Sequence, residues 1–274
     1  MTSFRIEPVT PTIGAEVSDI DLAGPLDDTV FGELMEAWHK HHVLFFRDQD
    51  MDPSSLQRLG RRLGPLHIHP QRDVEGYEGI LAIHTDRNST TYAGAKWHAD
   101  VTCDREPPTA SVLYLGTVPD AGGDTLFVNV HAAYDALSPP MKRFLEGLTA
   151  IHAGANRYGG YFGTRPEETR DGAFPEAVHP VIALNPATGR KVIYVNEIFT
   201  EKIVELEETE SRLVLEFLWS HIAQPRFQCR FRWQADSVAM WDNRATQHLA
   251  IWDYWPAVRS GYRVTVKGPP PPPA

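Results

Sequence analysis

The stretch SVAMWDNRATQH, residues 237–248, joins a short apolar run to a histidine that needs partners elsewhere. Residues 237–241 have the length and composition of a buried strand. Asp242, Asn243 and Arg244 punctuate it, and His248 follows. Far upstream, Trp97-His98-Ala99-Asp100 offers a second imidazole and a carboxylate. In extended backbone, side chains alternate between faces, so His98 and Asp100 would point together while Ala99 points away. Two imidazoles and one carboxylate on a single face of a metal leave the opposite positions open, which is the donor set that non-heme Fe(II) oxygenases need. With twelve histidines in the chain, an HxD pair alone arises by chance. HxD with a distal histidine inside WDNRATQH, followed by Arg259, is a much stronger signal.

Arg259 lies eleven residues beyond His248, and Arg263 four beyond that. On one regular strand this even spacing puts both guanidinium groups on one face. Arginine's planar fork matches a carboxylate bidentately, and a buried guanidinium without an anion is costly. Small anionic molecules are therefore expected here, a dicarboxylate cosubstrate among them. By contrast Arg47, Arg61, Arg62, Arg165 and Arg170 read as solvated surface charges.

Short apolar runs at 80–83, 111–115, 125–130, 178–184, 192–195, 227–233 and 262–266 are separated by Gly, Pro and Asp. Many short strands with turn punctuation predict a sandwich or barrel. Residues 4–22 read as strand and turn, and 43–46 as a buried strand. A helix runs from Asp27-Asp28 to about His41, with Phe31, Leu34, Met35 and Trp38 at three- and four-residue spacing. Pro53 opens a second helix ending before Gly64, and further helices are expected at 132–136, 139–148 and 207–221. The expectation is a mainly β chain with flanking helices (α+β), one domain over 1–268. Residues 154–174, rich in Gly and Arg, form a long loop and a candidate lid. The proline run 269–274 is expected to be extended and disordered.

The 274 residues suffice for one large domain with a full core. Apolar and charged fractions of 42% and 23% are those of an ordinary soluble protein. Apolar stretches such as 43–46 are far too short to cross a bilayer, and no signal peptide is evident. Cys103 and Cys229, outside any CxxC pair, predict no disulfide framework and fit a reducing cytoplasm. A formal charge of -10 disfavours nucleic acid as a partner.

Further motifs stand in order along the chain: IGAEV (13–17), VLFFRDQ (43–49), GPLHIHP (64–70), WHAD (97–100), GGDT (122–125), HAAYDAL (131–137), His179-Pro180, Val195-Asn196-Glu197 and WDNRATQH (241–248). In this order and spacing the chain resembles the taurine dioxygenase family of Fe(II)/2-oxoglutarate-dependent dioxygenases over nearly its full length. The resemblance implies a double-stranded β-helix (jelly-roll) core and a catalytic Fe(II) bound by His98, Asp100 and His248. It implies O2 and 2-oxoglutarate as cosubstrates, the distal carboxylate of 2-oxoglutarate resting on Thr125 and Arg259. Arg263, with His69 and the backbone around Val101, would take the anionic group of the substrate. Phe199, and Tyr161 or Phe162, would form walls of the substrate pocket. His67, Trp97 and Trp241 are read as structural. The family favours a homo-oligomer, a dimer or a tetramer.

The reaction so implied is hydroxylation of a small anionic organic substrate: taurine, another alkanesulfonate or an alkyl sulfate. Sulfite or sulfate and an aldehyde would be released, and the role would be sulfur scavenging. A carboxylate such as an aryloxyalkanoate is the alternative substrate. Taurine-oxidising members place the amino end with a tyrosine and an asparagine; Arg72 and Gly94 align there in this chain, which does not support selection of an amine. Asp100 argues against halogenation, which needs that carboxylate removed to admit a halide. A zinc hydrolase, whose metal accepts the same donors, would leave Thr125 and Arg259 unexplained. A non-catalytic binding protein would leave the intact ligand set without a use.

Overall fold

A computed structural model describes residues 3–69, 73–161, 165 and 172–274. In chain order the strands are β1 (Arg5–Pro8), β2 (Ala15–Ser18), β3 (Val43–Phe46), β4 (Ile80–Thr85), β5 (Pro108–Thr117), β6 (Thr125–Asn129), β7 (Thr149–Ala153) and β8 (Glu176–Pro180). They continue with β9 (Ile182–Asn185), β10 (Arg190–Ile193), β11 (Thr200–Ile203), β12 (Gln228–Phe231), β13 (Ser237–Asp242), β14 (Thr246–Ala250) and β15 (Arg259–Lys267). The helices are α1 (Asp28–His41), α2 (Pro53–Leu63), α3 (Val130–Asp135), α4 (Pro139–Leu145) and α5 (Glu208–Ile222).

The chain is thus mainly β with flanking helices. Its largest sheet has the order β1-β2-β3-β13-β5-β15-β4, antiparallel except between β2 and β3. The three-stranded sheet β12-β6-β14, a second one of three strands (β11-β7-β8) and the pair β9-β10 complete the set among the described residues. Alternation along the central strands explains how both faces of the large sheet are covered. Leu44, Phe46, Val112, Tyr114, Val238 and Met240 join the core beneath α1 and α2. Their neighbours Val43, Phe45, Leu113, Leu115, Ala239 and Trp241 pack instead with Phe127, Cys229 and Phe231 of the three-stranded sheet. The ring of Phe45 stacks on Phe231 with centroids 4.0 Å apart, fastening sheet to sheet.

Helix ends follow the sequence closely. The Asp27 carboxylate accepts from the Val30 N–H, and Asp52 with Ser55 forms a capping box around Pro53. Helix α2 lies tightly on β15: a Cβ at Gly60 would stand 2.7 Å from Val264 Cγ2. This matters because β15 carries both arginines. On the other side of β15, its pairing with β5 shifts between Ser260 and Gly261. There a Cβ at Gly261 would sit 1.9 Å from the Tyr114 carbonyl oxygen. Gly261→Ala is expected to destabilise the protein by about 3 kcal/mol, since overpacked backbone must move. A guanidinium titration unchanged from wild type would reject that.

Four expectations need correction. The run 178–184 is two strands, because Pro180 ends β8 and the Val181 N–H turns to the Leu148 carbonyl. Arg47 is not a solvated charge: it donates to Glu16, the Arg232 carbonyl and Ser237, and its guanidinium lies 4.2 Å from the Phe231 ring centroid. The proline tail is extended but not loose. The Leu184 N–H donates to the Pro272 carbonyl at 2.9 Å, and residues 269–272 line a groove with Pro107, Tyr194 and Arg244. Within the candidate lid, residues 156–161 form one π-helical turn, while 162–164 and 166–171 lie outside the described residues.

Candidate active site

Both sheets that enclose the Phe45–Phe231 contact also supply the site. His248 stands in β14, opposite Phe127 of β6, while Arg259 and Arg263 stand in β15. His98 is extended only long enough to form one bridge. Its N–H donates to the His248 carbonyl at 3.1 Å, and its carbonyl accepts the return bond from the His248 N–H at 2.8 Å. That exchange brings the two rings to 4.1 Å between centroids. Asp100 then enters a turn rather than a strand, correcting the extended HxD expectation. Val101 takes φ +46°, a strained value for a β-branched residue, and this turn aims the carboxylate back toward the histidines. One donor atom each from His98, Asp100 and His248 lies within 4.8 Å of the others, and all three residues are buried.

The protonation states suit a divalent cation. Burial pulls His98 down to about 4 and His248 well below its ordinary value, so both imidazoles are neutral at pH 7. His98 Nδ1 lies 2.9 Å from the Lys96 carbonyl, which fixes its proton there and leaves Nε2 free to ligate. Burial raises the Asp100 pKa, but Arg263, both histidines and the Ser111 hydroxyl outweigh it and hold the carboxyl well below the usual range. Arg263 Nη1 donates to Asp100 Oδ1 at 2.8 Å, and the Ser111 hydroxyl donates to Oδ2 at 2.7 Å. Asn243 extends the support: its Nδ2 donates to Ser111, and its Oδ1 accepts from the Asp100 N–H and from Trp241 Nε1.

A second buried network holds the far side of the turn. The Thr102 hydroxyl sits 2.9 Å from His152 Nδ1 and accepts from Asn196 Nδ2 at 2.9 Å. Asn196 Oδ1 accepts from the N–H groups of Ile198 and Phe199, so one amide fixes both the ligand turn and the Phe199 wall. His179 Nε2 donates to the Asp104 carbonyl, and His67 Nε2 pairs with the Asp104 carboxylate at 2.5 Å. His67 is thereby a supporting residue. Asn196→Ala is expected to raise the ratio of succinate formed to substrate oxidised, because a loosened turn misplaces the reacting groups. An unchanged ratio would count against this role.

Beside the three donors lies a cavity of about 240 Å³, lined by His69, Asp100, Val101, Tyr158, Phe199 and Arg263 among others. Burial first, and then the charge of Arg263, hold His69 neutral. A smaller adjoining pocket of about 50 Å³ is lined by Thr125, His248, Arg259 and Arg263. Arg259 is 7% exposed, its Nε lacks a hydrogen-bond partner, and among the described residues no carboxylate pairs with it. Its guanidinium carbon lies 5.5 Å from the Trp233 ring centroid, and Trp233 Nε1 donates to the Thr125 hydroxyl at 2.9 Å. A buried cation facing a pocket, with a hydroxyl beside it, is a fitting receptor for a carboxylate.

His69, His98, Asp100, Val101, Thr125, Phe199, His248, Arg259 and Arg263, all expected from the sequence, each border one of these two adjoining pockets. Ser111, Asn243, Thr102, Asn196 and Arg157 were missed as site residues. Tyr161 has no described side chain, and Phe162 and Arg72 lie outside the described residues. Trp97 and Trp241 are core, as expected.

A profile for "Taurine catabolism dioxygenase TauD, TfdA family" matches residues 5–265. The chain belongs to this family. It is a 2-oxoglutarate-dependent dioxygenase that uses Fe(II) and O2. Among members of the taurine dioxygenase family, an alpha-ketoglutarate-dependent sulfonate dioxygenase of Saccharomyces cerevisiae is 33% identical over 96% of this chain and 66% of its own length. An alpha-ketoglutarate-dependent sulfate ester dioxygenase of Pseudomonas putida is 32% identical over 96% of this chain and 89% of its own. The crystal structure of a taurine dioxygenase from Burkholderia xenovorans superposes with a TM-score of 0.84 at 33% identity, covering 97% of this chain and 91% of that one.

Proposed function

We propose that the protein hydroxylates a small organic anion, an alkanesulfonate or alkyl sulfate, on a double-stranded β-helix core. One observation carries the reading: three metal-ligating atoms converge between a pocket bearing Arg259 and a larger cavity bearing Arg263 and His69. His98, Asp100 and His248 hold the Fe(II). Arg259 and the Thr125 hydroxyl take the distal carboxylate of 2-oxoglutarate. Arg263 and His69 orient the sulfo group, with Val101 and Phe199 as walls that exclude water. When bound, Fe(II) supplies oxidative C–H hydroxylation, with 2-oxoglutarate converted to succinate and CO2. A carbon that bears both the new hydroxyl and a sulfonate or sulfate collapses to an aldehyde, expelling sulfite or sulfate. Two buried, unpaired cysteines agree with a cytoplasmic setting. Among the described residues no helix is long and apolar enough to cross a membrane.

The test is anaerobic loading with Fe(II) and 2-oxoglutarate, then O2 exposure with taurine, longer alkanesulfonates, alkyl sulfates and aryloxyalkanoates. Sulfite or sulfate appearing with succinate supports the reading. Succinate coupled only to an aryloxyalkanoate moves the substrate class and keeps the chemistry. Arg263→Leu is expected to raise the substrate KM by about 100-fold, as loss of a buried charge partner does, and that of 2-oxoglutarate far less. Equal effects on both would reassign Arg263 to the cosubstrate.

A further inference from the structure

The two arginines of β15 stand beside neighbours of opposite character. Strand β4, at the edge of the large sheet, pairs with β15 so that Leu81 lies opposite Arg263, Ile83 opposite Gly261 and Thr85 opposite Arg259. Alternation puts these positions on one face, and Leu81, Ile83, Thr85 and both arginines line the larger cavity. Beside Arg259 the neighbour is polar, the Thr85 hydroxyl lying 2.7 Å from that of Tyr254. Beside Arg263 it is apolar, Leu81 with Ile83 next along the strand. The cosubstrate end of the face is polar and the substrate end is not.

A second wall is built outward from the metal donors. Beyond the exchange between His98 and His248, the Ala250 N–H donates to the Gly94 carbonyl at 2.8 Å. Two residues further along each segment, the rings of Tyr92 and Trp252 meet with centroids 4.9 Å apart. Gly94 keeps this wall close to the donors: a Cβ there would stand 3.3 Å from His98 Cε1 and 3.2 Å from the Ala250 Cβ. Tyr92 and Ile251 line the cavity together with Leu81. Leu81, Tyr92, Ile251 and Trp252 are all half-buried, and among the described residues none belongs to a hydrophobic core. Apolar surface left half-covered beside an anion receptor is suited to cover the carbon chain of a ligand.

We infer that the substrate's carbon chain runs from the sulfo group at Arg263 along Leu81 and Ile251 to the Tyr92–Trp252 pair. The enzyme thereby selects long-chain alkanesulfonates or alkyl sulfates over short ones such as taurine, and Leu81 and Tyr92 are specificity-determining residues. A charged group at the far end of the chain would lose its water against these walls, which is costly. This rests on the reading of the cavity as a site for sulfonates or sulfate esters.

The experiment compares propane-1-sulfonate, hexane-1-sulfonate and octane-1-sulfonate. Dissociation constants are measured calorimetrically on anaerobic enzyme loaded with Fe(II) and 2-oxoglutarate, so no turnover enters the readout. Each buried methylene is expected to tighten binding about fourfold, making hexane-1-sulfonate about 60-fold tighter than propane-1-sulfonate at one site per chain. The heat-capacity change of binding should grow more negative along the series. Leu81→Gln and Tyr92→Ser, both outside the cores, should each lower the hexane-to-propane ratio several-fold. Equal wild-type constants across the series, or a ratio that survives both variants, overturns the apolar arm and leaves the sulfonate reading standing. Absence of binding by all three sulfonates overturns that reading and the arm with it.

Discussion

Asp100→Ala is expected to weaken Fe(II) binding by at least about 100-fold and to abolish iron-dependent succinate formation. Loss of groups that merely support a ligand already costs 10–100-fold in metal affinity, as a rough scale. In the proposed site Asp100 is a ligand itself, and it is the sole carboxylate among the three clustered donors. Its removal takes away the one negative charge that meets the metal and leaves the Arg263 guanidinium, 12% exposed at its side chain, without its 2.8 Å partner. Both effects push a dication out of the site. Ser111→Ala offers the graded comparison, since it removes only the hydroxyl donor on Oδ2 and should weaken iron by about tenfold. Anaerobic calorimetric titration with Fe(II) reads both variants. Wild-type iron affinity in Asp100→Ala would remove this carboxylate from the ligand set, and with it the assignment of the HxD pair.

What the sequence disclosed depended on the range over which each signal acts. The buried strand 237–241 was legible because one strand's composition reports its own burial, and β13 does lie at the centre of the large sheet. Helix starts were legible because caps act over three residues, as at Asp27 and Asp52. The shared face of Arg259 and Arg263 followed from period two alone. Asp100, however, was expected on a strand, and its aim comes instead from the strained turn at Val101. That conformation is imposed by Thr102, His152 and Asn196, partners 50 and 94 residues apart from Thr102 along the chain. No local pattern encodes such a contact. Asn196 belonged to a motif whose purpose was unassigned; only the fold reveals that its amide serves the turn and Phe199 together. Asn243 was visible inside WDNRATQH, yet its bond to the Asp100 N–H spans 143 residues. The proline tail failed for a related reason. Composition predicts an extended conformation well, but whether an extended segment finds a sheet edge depends on where β9 lies.

Arg259→Leu should raise the KM for 2-oxoglutarate by about 30- to 5000-fold, the range expected when a buried charge pair loses one partner at about 2–5 kcal/mol. The same change has an opposite consequence for the protein without cosubstrate. An arginine 7% exposed, with an unpartnered Nε and no carboxylate pairing with it among the described residues, is costly to the fold. Burial lowers its pKa, which is the same penalty seen from the side of the proton. Leucine removes that penalty and retains an apolar contact with Trp233, so thermal stability without 2-oxoglutarate should hold or rise. Wild type should then gain stability on adding 2-oxoglutarate, as any ligand that binds only the folded state produces. Arg259→Leu should gain far less. Thr125→Val provides the scale: losing one neutral hydrogen bond is worth about 1 kcal/mol, so its KM should rise only about fivefold. Because Trp233 touches both residues, the double variant should depart from additivity. A fall in stability without cosubstrate, together with an unchanged KM, would mean that Arg259 is a structural cation satisfied within the fold, and the receptor for the distal carboxylate would have to be sought elsewhere in the smaller pocket.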